Sequence, residues 1–200
     1  RLSEKQEKLS VLYGNKAGQL TNQYIKGDER SFTIVAYPLP EIDERYEEIF
    51  EEVIRINTLD AAVYEKVQQT IIDALDKGRY VHILGKGENH TDLKIQLHTL
   101  ENPEKETNFE NCVADVNIPV GGVFTSPKLT GTEGTLHVSK VYLREFEYKD
   151  LTVVFKDGKI TEYSCANFEN PEEGKKLITE NVLYHHESLP MGEFAIGTNT

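Results

Sequence analysis

The apolar residues of this chain change their period at Gly78. Before it they recur every three to four positions; after it they alternate or gather in short runs. A chain divided in this way is neither a helical bundle nor an all-β barrel. It has to combine helices with a sheet of mostly antiparallel strands, which is a mixed α/β fold.

The helical half has two clear segments. From Glu41 to Ile56, the residues Ile42, Tyr46, Ile49, Phe50, Val53 and Ile54 share a stripe and the acids lie opposite, so one amphipathic helix is expected. Asp60 is placed to cap a second helix whose apolar face is Val63, Val67, Ile71, Ile72 and Leu75, and Gly78 follows its end. Leu9, Leu12, Leu20 and Tyr24 predict one or two helices near the start, interrupted at Gly14 and Gly18. Ser31 to Tyr37 reads as a buried strand stopped by Pro38 and Pro40.

The second half reads as strands. They are expected at Tyr80–Leu84, Asp92–His98, Asn117–Pro127, Thr135–Leu143 and Gly192–Gly197. Leu151–Lys156 and Lys159–Ser164 flank Asp157-Gly158, a pair that tolerates the positive φ of a tight hairpin turn. Asn170-Pro171 opens one further helix, running to about Leu183. A boundary falls near residues 57–60, giving segments 1–57 and 58–200.

Charge and composition exclude several functions. With 22 basic and 34 acidic residues the net charge is −12, so no basic surplus exists for binding nucleic acid. No apolar run approaches the roughly 20 residues that span a bilayer. Two cysteines, Cys112 and Cys165, cannot form a disulfide framework, and reduced thiols in a cytoplasmic protein are expected. The lone methionine is Met191, so the chain reads as a piece of a longer protein.

Most short motifs have bland explanations. Gly85-Lys86-Gly87 is followed by a strand, not by the helix a phosphate loop needs, and reads as a tight loop. His185-His186-Glu187 reads as a solvated turn, and His82, His98 and His137 as packed or surface histidines. Cys165 reads as a small buried hydrophobe, and Ser126 has no nucleophile signature. Glu193 stands out. Phe194 and Ile196 take one face of its strand, while Glu193 shares the other with Met191 and Ala195. A carboxylate in an apolar strand is costly unless paired or bound to a cation; a solvated edge-strand glutamate satisfies the pattern equally.

Three segments, in order, carry a resemblance. Asn117 to Pro127 (NIPVGGVFTSP) resembles the P-x-G-E-V-F-T-[AS]-P segment of the thermophilic metallo-aminopeptidases typified by aminopeptidases T and S. Gly85-Lys86-Gly87 with Thr91-Asp92-Leu93 is similar to their G-x-G-T-D-L loop, and Leu189 to Ala195 to their L-G-E-x-A segment. Thr33 to Ile42 (TIVAYPLPEI) is similar to the last strand of their N-terminal domain. The resemblance implies the end of an N-terminal α/β domain followed by a β-rich part of a metallopeptidase catalytic domain. It further implies two divalent ions (zinc, cobalt or magnesium) in the whole enzyme, a homodimer, and peptide substrates with a free N-terminus. In such enzymes the ion pair polarises the scissile carbonyl and lowers the pKa of a bound water. Carried over by position, Glu193 is a metal ligand, and Gly122 stands where the family has its other glutamate. Glu133 is a turn residue that could stand in for it. The remaining ligand segments have no counterpart here, so the piece alone is expected to be inactive. The alternative is a catalytically silent relative serving as a binding or assembly module.

Overall fold

A computed structural model of the chain describes residues 3–29, 34–35, 37–58, 60–113, 117–118, 121–143 and 146–198. Its elements in chain order are α1 (Glu4–Tyr24), β1 (Ile34–Val35), α2 (Tyr46–Asn57), α3 (Ala61–Leu75), β2 (Tyr80–Leu84), β3 (Asp92–Gln96) and β4 (Glu110–Cys112). There follow β5 (Asn117–Ile118), β6 (Gly122–Thr125), β7 (Glu133–Leu143), β8 (Phe146–Lys156), β9 (Lys159–Ser164), α4 (Pro171–Asn181) and β10 (Phe194–Gly197). The α/β class and the antiparallel sheets are as the sequence implies. Among the described residues, no helix is long and apolar enough to cross a membrane. The chain forms two compact units that interleave along the sequence: residues 1–25, 79–98 and 127–192, and residues 26–78, 99–126 and 193–200.

The first unit is a five-stranded antiparallel sheet in the order β2-β3-β7-β8-β9. Alternation in β3 does what the pattern predicts: Leu93, Ile95 and the following Leu97 are buried while Asp92 and Lys94 face out. The β8–β9 hairpin turns at Asp157 and Gly158, with φ of 47° and 78°. A Cβ on Gly158 would lie 2.2 Å from the Leu129 carbonyl oxygen, so glycine is required both for the backbone and for the close approach. Glu133 closes that turn by accepting the Asp157 N–H at 2.7 Å, and Asp157 accepts from Gly131 N at 2.9 Å. The Gly85–Thr91 loop is tight as expected: Gly85 N donates to Thr91 O, and Asn89 donates to His137 O at 2.9 Å. His137 is a packed histidine, its Nδ1 accepting the His90 N–H at 3.2 Å. On α4, Asn170 caps by accepting from Glu172 N at 3.1 Å, with Pro171 in the first turn.

Tyr148 lies at the centre of this unit with no exposed surface, and its hydroxyl has no hydrogen-bond partner among the described residues. Burial pushes its ionisation above the usual tyrosine range, and the neighbouring Cys165 and Tyr184 push the same way. The folded state therefore favours the neutral phenol. Stability is intact below about pH 10, where the unfolded phenol is still protonated, and falls as pH rises beyond it. Tyr148→Phe should leave the stability at pH 7 within about 1 kcal/mol of the parent, because no hydrogen bond is lost. It should also flatten the loss above pH 10, which denaturant melts at pH 7 and pH 11 would check.

The second unit packs α3 against a three-stranded antiparallel sheet, β10-β6-β4; a parallel pair, β1-β5, belongs to the same unit. Asp60 caps α3 as the sequence predicts, accepting from Ala62 N at 3.1 Å and Val63 N at 3.3 Å. The buried face of α3 differs from expectation. Val63 and Val67 are exposed, and the wholly buried residues are Gln68 and Ile72. The reason lies across the sheet: Gln68 donates to Asn111 Oδ1 at 2.6 Å and to Cys112 O at 3.0 Å, and accepts from Thr198 Oγ1 at 2.8 Å. A glutamine with every bond satisfied can take a core position that apolar periodicity assigns to valine. Phe109 and Phe194 meet edge to face at 6.3 Å on the same layer.

Three further expectations are corrected. The helix from Glu41 starts late: Pro40–Ile42 is a 3-10 turn, Asp43 is extended and its carboxylate accepts from Arg45 N, and α2 begins only at Tyr46. At the start of the chain, α1 continues through Gly14 and Gly18, which weaken a helix without ending it. The strand read from Ser31 to Tyr37 is described only at Ile34 and Val35; both are exposed rather than buried, and the rest of it, apart from Tyr37, lies outside the described residues.

Candidate functional site

Glu193 immediately precedes β10 and is exposed. β10 pairs antiparallel with β6, matching Phe194 to Thr125, Ala195 to Phe124, Ile196 to Val123 and Gly197 to Gly122. β6 pairs in turn with β4, matching Phe124 to Glu110 and Gly122 to Cys112. Alternation along these strands sorts the side chains into two layers. Val123, Thr125, Phe194 and Ile196 turn one way, together with Asn111, which reaches the α3 side and donates to the Glu65 carbonyl at 3.0 Å. Gly122, Phe124, Ala195 and Glu193 turn the other way. On that second face lies a cavity of about 270 Å³, lined by Cys112, Gly122, Phe124, Glu193, Ala195 and Gly197 among others.

The strand pairing therefore puts the two positions the sequence singled out, Glu193 and Gly122, on one face but at opposite ends of the pair, since Gly122 is matched to Gly197, roughly 13 Å along the strand from Glu193. Among the described residues, Glu193 is the only carboxylate on the cavity wall. Gly122 has a strand conformation, and a Cβ there would meet only the Ile196 carbonyl oxygen at 3.5 Å, an ordinary contact. Glu133 belongs to the other unit and is spent on the hairpin turn. His185 and His186 follow α4 in that same unit.

A catalytic divalent ion takes about three protein ligands and leaves a position open for water. Among the described residues, no three of His, Cys, Asp and Glu gather as a metal cage. Among the described residues, the donors on this face thus fall short of an ion pair, and Gly122 supplies no side-chain donor. Gln68 is the neighbouring residue that sequence reasoning missed. Its bonds to Cys112 and Thr198 hold the two outer strands of this sheet, and no local pattern announces them.

The family model for thermophilic metalloproteases (M29) matches residues 8–200. The chain belongs to that thermophilic metalloprotease family. Among solved structures it is similar to wild-type AmpT from Thermus thermophilus, with a TM-score of 0.50 and 18% identity, covering 80% of this chain and 40% of that one. At this identity the likeness speaks to the fold, and the match spans 40% of that protein's length. No curated protein matches it.

Proposed function

We propose that this chain is part of a metal-dependent aminopeptidase that releases N-terminal residues from peptides, and that Glu193 is one of its metal ligands. The observation that carries this reading is the β6–β10 pairing, which sets Glu193 on one cavity wall with the Gly122 position in a chain of the metalloprotease family. In this reading residues 1–57 close an N-terminal domain and residues 58–200 open the catalytic one. The remaining donors, for a centre of two divalent ions, come from outside the described residues. The acidic chain would favour substrates with a cationic amine at their end. A cytoplasmic, homodimeric enzyme completes the proposal. The test is hydrolysis of aminoacyl-p-nitroanilides by the full-length protein, with added zinc or cobalt and after chelation. Activity that needs the ion and a free α-amine supports it; hydrolysis indifferent to chelator counts against it.

Gly122 favours a second reading, in which the chain belongs to a catalytically silent relative. Here Gly122→Glu is informative because the side chain has room. An added ligand should be worth at least as much as an outer-shell partner, so cobalt affinity should rise at least about tenfold with the fold unchanged. Cobalt titration by absorbance, with circular dichroism as the fold control, checks this. A parent that already binds two ions tightly would rule out the silent reading.

A further inference from the structure

The loop from Gly85 to Thr91 is stitched to β7 at one residue, His137. Asn89 Nδ2 donates to the His137 carbonyl at 2.9 Å, and the Thr91 hydroxyl donates to the same oxygen at 3.0 Å. The His137 N–H returns a bond to that hydroxyl at 3.0 Å. Amide and hydroxyl groups keep their protons across the physiological range, so these three bonds are indifferent to pH. The fourth bond is of another kind. The His90 N–H donates to the imidazole itself, at Nδ1, across 3.2 Å.

A ring nitrogen accepts a hydrogen bond only while it carries no proton. The neutral His137 ring therefore bears its proton on Nε2, and that nitrogen stands 3.5 Å from Asp150 Oδ1. A proton added to Nδ1 sets N–H against N–H and cancels the bond to His90. Little water is at hand to make up the loss: His137 is 8% exposed, and it is the one buried histidine among the described residues. The charges around it differ in sign. The Asp150 carboxylate offers an imidazolium a counter-charge. The His90 ring, its centroid 5.3 Å away, presents a like charge whenever it is itself protonated. On the loop, Lys86 and Glu88 are exposed to solvent. On β3, Asp92 is turned to His82 at 2.8 Å, and on β8 the residue matched to His137 is the uncharged Thr152. Asp150 has a φ of 46°, a conformation that aspartate and asparagine tolerate, so the backbone sets its place beside the ring.

We propose that His137 is a proton-operated latch on the Gly85–Thr91 loop. With Nδ1 bare, the imidazole holds the His90 amide against β7. With Nδ1 protonated, the imidazolium gives up that amide, and its charge is met by Asp150 from the Nε2 side. Acid therefore releases His90, while the bonds of Asn89 and Thr91 to the His137 backbone keep the flanks of the loop tied. The proton comes from solvent and goes onto one ring nitrogen; no other bond is made or broken covalently. Every part of the device lies in the first unit. The inference is independent of the metal chemistry proposed above.

The test uses the full-length protein labelled on nitrogen, followed by magnetic resonance from about pH 8 to about pH 5, the range in which imidazoles change charge. At the upper end the His137 ring should show a bare Nδ1 and a protonated Nε2. As the ring takes its second proton, the His90 amide should shift with the same midpoint. Its protection from exchange should fall by about two- to tenfold, the loss of one hydrogen bond. His137→Asn supplies an oxygen acceptor that does not titrate and should hold the His90 amide at both ends of the range. Asp150→Asn keeps the backbone conformation, removes the counter-charge and should move the shared midpoint to lower pH. His90→Ala keeps the amide and removes the neighbouring ring, so the transition should persist. Circular dichroism confirms that each variant is folded. A His137 ring that takes no proton in this range overturns the proposal. So does a position-90 amide that ignores the titration of the ring, or one that still shifts in His137→Asn.

Discussion

In the full-length protein, under the function proposed above, Glu193→Gln is expected to reduce metal-dependent aminopeptidase turnover by about 100-fold or more, at the upper end of what outer-shell ligand changes cost and beyond it for a direct ligand. The fold should be unaffected. Glu193 is exposed, precedes β10 rather than sitting in its ladder, and among the described residues has no ion pair or side-chain hydrogen bond to lose. Glutamine keeps the length and shape of the side chain and removes only the negative charge that a divalent ion requires. The loss should therefore be seen at saturating substrate and eased by raising the metal concentration. A surface glutamate with no ion would leave turnover within about twofold of the parent. Rates of aminoacyl-p-nitroanilide hydrolysis across a cobalt series separate the two cases.

Gln68→Met is expected to destabilise the second unit by about 2–4 kcal/mol, although methionine is close in volume and apolar. The position has no exposed surface, so water cannot replace what is removed. The substitution leaves the Cys112 carbonyl without its Gln68 donor, and removes the acceptor used by Thr198 Oγ1 and the donor facing Asn111 Oδ1. For a chain of this size that corresponds to a fall in melting temperature of roughly 4–16 °C. Because Cys112 and Thr198 flank the strands that carry Gly122 and Gly197, metal affinity should weaken as well, even though Gln68 does not line the cavity. An unchanged melting temperature would mean that the three bonds add nothing to the fold.

These two residues mark how far the sequence could be read. Glu193 was legible because alternation in a short strand is local: Phe194 and Ile196 declare one face, and a carboxylate on the other face is conspicuous. Asp157-Gly158 and Asp60 were legible for the same reason, since a positive φ and a helix cap are settled within a few residues. Gln68 was not. Its partners are Asn111, Cys112 and Thr198, and until the sheet forms nothing distinguishes it from the exposed Gln69 beside it. β4 was missed because Glu-Asn-Cys has no strand pattern of its own; it is a strand because β6 lies beside it. That Gly122 and Glu193 share a cavity depends on the register of β6 against β10. Spacing along the chain cannot supply that register, although the resemblance to metallo-aminopeptidases named both positions.

The most direct test asks where the ion sits. Crystals of the enzyme grown with cobalt, with anomalous differences collected at the cobalt edge, should place an ion about 2.0–2.2 Å from a Glu193 carboxylate oxygen, the usual span for a carboxylate ligand of such an ion. Cobalt bound elsewhere, with the Glu193 carboxylate turned to solvent, would contradict the assignment of this face as the metal face.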